Sequence, residues 1–189
     1  MVILAAAFLV LLAFCIGLLA WAIILYNGLI QLRVLSENAW SDIDVQLKRR
    51  YDIIPNLVAT VQGYASHERN TLQSVTDART RAMGATGINE KGQAENLLSG
   101  TLKTLFAVAE NYPQLKANEN FLQLQNTLNQ IEETVQSARR YYNAVVRDFN
   151  TKLLVFPNNI FANLFNFKQR DFFQLEAPET ERKAPQVKF

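Results

Sequence analysis

The sequence predicts an all-α protein in which an N-terminal transmembrane helix precedes an antiparallel bundle of long helices. All 19 Lys and Arg residues and all 17 Asp and Glu residues of the 189-residue chain lie beyond residue 32. After that point apolar residues recur at steps of three and four, which is the period of an amphipathic helix. No segment shows a comparably strong strand pattern. These observations divide the chain into an anchor (1–26), a helical bundle (27–155), a Phe-rich segment (156–175) and an extended tail (176–189).

The anchor is the uncharged run from Val2 to Tyr26. As a helix rising ~1.5 Å per residue it extends ~37 Å, enough to cross a hydrocarbon core of ~30 Å with some tilt. Trp21 and Tyr26 lie toward its end, where amphipathic rings favour the headgroup level. A cleavable signal peptide would show a charged start, a shorter apolar run and a small-residue cleavage site, and none of these is present.

The sequence gives two conflicting indications of the side of the membrane on which the bundle lies. Arg33, Lys48, Arg49 and Arg50 follow the anchor, and the positive-inside rule then favours a single-pass protein whose bundle lies in the cytoplasm. Three of these charges lie at the far edge of the counting window, however, and large domains translocate regardless of charge.

The bundle begins with a seam of apolar residues from Trp40 to Ala65, in which Pro55 predicts a kink. Gly84 and Gly87 predict a turn, and a second seam then runs from Ala94 until Tyr112-Pro113 ends it. The longest seam follows Asn118, a predicted N-cap, and has the spacing of a coiled coil over four heptads: Phe121, Leu124, Leu128, Ile131, Val135, Ala138, Tyr142, Val145, Phe149 and Leu153. Long helices joined by short turns pack as an antiparallel bundle.

The Phe-rich segment holds six of the 12 Phe residues between Phe156 and Phe173. Pro157 and the following Asn residues predict the start of a short helix. Six exposed rings would favour aggregation. We therefore expect these rings to be buried against the end of the bundle, against another subunit, or in the membrane interface. Phe161, Phe165 and Phe167 are therefore predicted interaction residues.

The tail contains two Pro and several charges, which is typical of an extended linker. Its end, Val187-Lys188-Phe189, has the alternation and free carboxylate of a segment that adds to a sheet edge or docks in a backbone nest. Val187 and Phe189 are therefore candidate docking residues.

The basic run Lys48, Arg49 and Arg50 has two interpretations. Three positive charges near an anionic leaflet attract lipid headgroups. The alternative is a solvated helix face on which they pair with Asp44 and Asp52.

Catalysis is not expected. The chain has one His and one Cys, which excludes multi-histidine metal sites and an internal disulfide, and no nucleotide-binding or nucleophile motif occurs. His67-Glu68 opens like a zinc-protease motif, but Thr71 stands where the second His would lie. We expect no enzyme activity, no cofactor and no metal. The net charge of +2 gives no sign of nucleic acid as a partner.

Several blocks resemble the LemA family of bacterial membrane proteins: Tyr26 to Leu29, Ala39-Trp40-Ser41, QLKRRYDIIPNLVATVQGYASHE (46–68), Ala78-Arg79, ENYPQLKANENF (110–121), ARRYYNAVVRDFN (138–150), FPNNIFANLFNF (156–167) and APQVKF (184–189). The resemblance implies a four-helix bundle with one N-terminal membrane helix, in the bacterial cell (inner) membrane. It brings no established activity and no catalytic residues. A related branch is associated with formation of magnetosome membranes, and relatives often neighbour membrane metalloproteases.

Two functions follow as hypotheses. The first is a membrane-anchored helical scaffold that self-associates as a homo-oligomer and organises or shapes the bacterial membrane. It depends on the anchor, the long seam, the clustered Phe residues and surfaces rich in Asn and Gln, which number 30 together. The second is an adaptor whose C-terminal tail binds a membrane protease or a stress-response complex.

Overall fold

The computed structural model describes residues 1–174, with the side chain of Val2 left out. Within that part the chain forms six helices and no strand, which confirms the all-α prediction. The helices are α1 (Val2–Tyr64), α2 (Arg69–Gly84), α3 (Ile88–Ala109), α4 (Pro113–Lys116), α5 (Glu119–Leu154) and α6 (Asn158–Leu164). The predicted docking residues Val187 and Phe189 lie outside the described residues.

The helix boundaries follow the predicted signals. Asn118 precedes α5 and its Oδ1 accepts a hydrogen bond of 2.9 Å from the backbone N–H of Phe121, as an N-cap does. Gly84 ends α2, and Gly87, with a φ of 95° that favours glycine, precedes α3. The short helix predicted after Pro157 is α6.

Two compact units can be distinguished. The bundle unit contains residues 40–143 and, of the described chain, residues 171–174; the anchor unit contains residues 1–39 and 144–170.

The bundle unit is a four-helix bundle of the second part of α1, α2, α3 and most of α5. Contacts of α1 with α5 join Arg50 to Glu132 and Tyr64 to Asn118, so the two helices run in opposite directions. The predicted seams form the core, because their apolar members are mostly buried: Ile43, Leu47, Ile54, Val61, Leu98, Leu105, Phe121, Leu128 and Val135.

Pro55 does not end the helix, since α1 continues through it to Tyr64. A proline has no N–H to donate to the carbonyl four residues earlier, here that of Tyr51. Arg79 of α2 replaces the missing donor: its Nε donates to the Tyr51 carbonyl oxygen at 2.7 Å. A side chain from the neighbouring helix thus satisfies the backbone group that Pro55 leaves free.

The anchor unit has a small core. Leu29 of α1, Phe149 and Leu153 of α5 and Ala162 of α6 are buried together. The apolar run of α1 is different, because its large side chains are exposed, for example Phe8 at 64% and Leu19 at 64%.

Candidate functional site

The bundle unit encloses a polar network centred on Arg50. This side chain of α1 is only 5% exposed. Its Nη1 donates to Glu95 Oε2 at 2.9 Å, and its Nη2 lies 2.8 Å from Ser99 Oγ and 3.1 Å from Glu132 Oε2. A buried guanidinium with this many partners is paired in charge and in hydrogen bonds, as burial requires.

Tyr51 and Lys91 complete the network around Glu95. The Tyr51 hydroxyl donates a short hydrogen bond to Glu95 Oε1. Lys91 Nζ donates to the Ala82 carbonyl oxygen at 3.2 Å and lies 5.6 Å from the centre of the Tyr51 ring, in the arrangement of a cation–π contact.

Burial dominates the electrostatics of the network. It raises the pKa of Tyr51, and the adjacent Glu95 carboxylate adds to this effect. Tyr51 therefore remains a donor. Burial also raises the pKa of Glu95, against the opposing influence of the Tyr51 hydrogen bond and the Arg50 charge.

The network has the features of a structural element. Glu95 is 1% exposed and Tyr51 5% exposed, so neither reaches a substrate from solvent. No group of three or more His, Cys, Asp and Glu side chains within residues 1–174 is arranged to hold a metal ion.

Arg50 corrects one sequence-based interpretation. As a residue of the basic run it was a candidate for lipid headgroup contact, but its guanidinium is buried and bound to Glu95, Ser99 and Glu132. Lys48 and Arg49 are exposed. Lys91 and Glu95 also belong to the network, although no motif marks them; the one signal in the sequence is their i,i+4 spacing beside the apolar seam of α3.

The anchor unit contains an aromatic cluster that includes all three predicted interaction residues. Phe161 packs against Trp21 with ring centres 6.4 Å apart, and Phe165 against Tyr26 at 4.8 Å. Phe167 contacts Tyr26 at 6.0 Å and Phe149 at 6.4 Å. These three rings of the Phe-rich segment therefore pack on the end of the apolar run of α1.

The turn after α6 sets the direction of these rings. Asn166 has a φ of 55°, in the left-handed region that Asn tolerates better than most residues. The Phe167 N–H donates to the Ala162 carbonyl at 2.9 Å and the Asn166 N–H to that of Asn163 at 3.3 Å. These two bonds form a Schellman motif, which lets both Phe165 and Phe167 contact Tyr26.

Beside the aromatic cluster lies an open cleft of about 440 Å³, here called the basic cleft. Among the described residues, its polar lining includes Arg33, Lys168 and Arg170 and no acidic residue. Glu37 lies next to it and forms ion pairs with Arg33, at 3.3 Å, and with Arg170. Asn150 fixes the backbone of Arg170 through two hydrogen bonds of 2.9 Å, one donated and one accepted.

Part of the Phe-rich segment is not covered by the chain. Phe156 is 78% exposed, Leu164 72% and Ile160 56%. These apolar side chains form an exposed patch on and beside α6.

One helix in the described part of the chain, α1, is long and apolar enough to cross a membrane; its most apolar stretch has a mean hydropathy of 2.9 and is unburied. An apolar helix that suggests a membrane anchor, together with a four-helix bundle whose buried charged side chains pair with one another, defines a membrane-associated helical protein.

The comparison with protein families specifies the group. The chain belongs to the LemA family, whose model matches residues 39–189. It is similar to Protein LemA of Metamycoplasma hominis, with 28% identity over 77% of this chain and 66% of the relative. It is also similar to Magnetosome protein MamQ 2 of Paramagnetospirillum magneticum, with 22% identity over 84% of this chain and 68% of the relative. The chain thus spans about two thirds of the length of these relatives.

Proposed function

We propose that this protein is a membrane-anchored helical scaffold that self-associates and organises or shapes the bacterial cell membrane, without catalysis. The observation that carries the proposal is the uncovered apolar surface of α1, where large side chains between residues 3 and 24 are exposed. A surface of this size is stable only in contact with lipid or with other apolar helices.

The closed polar network supports a structural role. Its buried charges are bound to each other and do not line an open site. The similarity to proteins named as magnetosome proteins supports a role at membranes, and the Arg33 charge that follows the apolar run favours the cytoplasmic side for the bundle.

The outer face of α5 is the proposed surface for self-association. It exposes a series of uncharged amides, namely Gln123, Asn126, Asn129, Gln130 and Gln136. Amide side chains form hydrogen bonds with a second copy at a lower desolvation cost than ions.

The test is the mass of the full-length protein in mild detergent, measured by light scattering over a range of concentrations, with negative-stain images of the peak. We expect a discrete multi-subunit assembly of the 21.5 kDa chain. A monomer at every concentration would contradict self-association. Cys15, the single cysteine, is exposed, so Cys15→Ser must give the same mass if no adventitious disulfide holds the assembly.

A pair of double variants locates the surface. Gln123→Glu with Gln130→Glu places like charges on the same face of α5, and we expect a smaller assembly. Gln62→Glu with Gln93→Glu adds the same two charges at exposed amides of α1 and α3, and we expect no change in mass. Equal masses for both double variants would exclude the face of α5.

A second candidate function is an adaptor for a membrane protease or stress-response complex. It is supported by the extent of the family match, which includes the tail to residue 189. Deletion of residues 177–189 should abolish co-purification of the partner and leave the helical circular dichroism unchanged. A partner that persists after deletion would exclude the tail as the docking element.

A further inference from the structure

We infer that the basic cleft of the anchor unit binds the headgroup of an anionic phospholipid at the membrane surface. This inference rests on the membrane anchoring in the proposed function, but not on self-association. It places the headgroup contact at Arg33, Lys168 and Arg170, away from the basic run at residues 48–50.

Along α1 the lining of the cleft changes from apolar to charged, as a phospholipid does from its acyl chains to its headgroup. Tyr26, Ile30 and Arg33 all line the cleft. Seven residues of helix separate the first from the last, or ~10 Å of rise. If Tyr26 lies at the boundary of the hydrocarbon, where such rings are favoured, the backbone of Arg33 lies just outside the headgroup layer, which is ~5–8 Å thick. The long side chain of Arg33 can then reach back to the phosphates.

The apolar end of the cleft is suited to the upper part of the acyl chains. Phe165 and Phe167 flank Tyr26 there. The same α6 segment contacts Trp21 through Phe161, within the apolar run itself. Phe156, Ile160 and Leu164, on and beside the same helix, also expose their side chains, as do the apolar residues of helices that lie in the membrane interface.

The charge of the cleft is suited to a phosphate. Three basic residues line it and Glu37 compensates only part of their charge. Lys168 is exposed and forms no ion pair within residues 1–174. Asn150 fixes the backbone of Arg170 and Glu37 holds its guanidinium. A preordered cation loses less freedom when it binds.

The site can be tested with two double variants that remove equal charge. Arg33→Gln with Lys168→Gln changes the basic cleft, whereas Lys48→Gln with Arg49→Gln changes exposed residues of the basic run. The full-length wild type and both variants are titrated in mild detergent with phosphatidylglycerol or phosphatidylcholine. Native mass spectrometry then measures how much of each lipid each protein binds.

We expect the wild type to retain phosphatidylglycerol in preference to phosphatidylcholine. The cleft variant should bind phosphatidylglycerol roughly tenfold more weakly, since each basic group near an anionic surface contributes several-fold in affinity. The variant of the basic run should differ less than twofold from the wild type. Equal losses in both variants, or equal retention of the two lipids by the wild type, would overturn the inference.

Three controls separate this inference from other causes. Lys168→Gln alone removes no ion pair that the structure describes within residues 1–174, and it must still weaken binding if the cleft is the site. Glycerol 3-phosphate at millimolar concentration should not displace the lipid; displacement would identify a site for free phosphate and contradict a lipid site. Resistance of the wild type to alkaline extraction from membranes tests the anchor, so a protein that is anchored but shows no lipid preference disproves only this inference.

Discussion

The two units of the chain have opposite distributions of polarity. In the bundle unit the seams of Ile, Leu and Val are mostly buried, and most charged residues outside the network around Arg50 are exposed. In the anchor unit large apolar side chains cover the surface of α1, and charges appear only from Arg33 onward. Both units are helical, so secondary structure does not distinguish them. The difference is the one expected if water surrounds the bundle unit and lipid surrounds the apolar run of α1 in the anchor unit.

The environments of two arginines, one in each unit, show the same difference. Arg50 is bound to two carboxylates and a hydroxyl in the interior of the bundle unit. Arg33 has a side chain 54% exposed and pairs with Glu37 within its own helix. The same residue type therefore holds helices together in one unit and faces an open cleft in the other.

The largest expected effect comes from placing charge on the exposed apolar surface of α1. Leu11→Arg with Leu12→Arg should remove the protein from the membrane fraction, because each Arg near the centre of a bilayer costs ~3 kcal/mol of insertion free energy. The control is Leu97→Arg with Leu122→Arg, at positions 42% and 43% exposed in the bundle unit. When membranes are sedimented, we expect the control variant to remain in the membrane pellet. If both double variants left the membrane fraction, lipid around the apolar run and water around the bundle unit would be contradicted.

The next effect is the loss of the buried cation. Arg50→Met should lower the free energy of unfolding by about 3–5 kcal/mol, since it leaves Glu95 buried without its charge partner. Arg33→Met should cost less than about 1 kcal/mol, because the pair that it breaks is exposed. Thermal melts followed by circular dichroism measure both.

A double variant sharpens this result. Arg50→Met with Glu95→Leu removes the pair together and should be more stable than Arg50→Met alone. A double variant at least as unstable as the single would show that the cost does not come from an unpaired buried carboxylate.

A smaller effect is expected at Gly92 of α3. A Cβ at this position would clash with the carbonyl oxygen of Gln174, a backbone atom. Gly92→Ala should therefore cost about 1–3 kcal/mol and displace Phe173, which Asn143 holds through two hydrogen bonds. Gly100→Ala in the same helix meets nothing within 4 Å and should be stabilising by ~0.5–1 kcal/mol. Stabilisation by both changes would contradict close packing of residues 171–174.

The smallest effect is the pH dependence due to Glu95. Burial raises its pKa in the folded protein above the ordinary value of 4.5, so between the two values the folded state holds a proton that the unfolded chain has released. The contribution of Glu95 to stability must then fall as the pH rises above 4.5. Relative to Glu95→Gln, the wild type should lose melting temperature from pH 4 to pH 7. A relative gain over that range would mean that the ion pair with Arg50 outweighs burial.

Much of the fold followed from patterns that are local in sequence. Apolar spacing predicted the seams, and Asn118, Gly87 and Pro157 marked helix boundaries, because caps and turns depend on neighbouring residues. The kink expected at Pro55 was likewise predicted from the proline alone. Neighbouring residues in the sequence could not reveal that Arg79, from another helix, donates to the carbonyl that Pro55 leaves free.

The sites were harder to predict, because they join residues that are distant in sequence. Arg50 belongs to a run of three basic residues, and only the approach of α3 and α5 distinguishes it from Lys48 and Arg49. The basic cleft likewise requires that residues 165–170 return to residues 26–33 of α1. The basic residues of that cleft are isolated in the sequence and form no motif.

The most direct test of the difference between the units uses the two tryptophans of the chain. Trp21 lies on the apolar run, 45% exposed, whereas Trp40 packs between Tyr142 and Phe173 in the bundle unit. Trp40→Phe and Trp21→Phe each leave one reporter, to be measured in vesicles of lipids with brominated acyl chains. We expect strong quenching of Trp21 and little quenching of Trp40; equal quenching of the two would contradict the account.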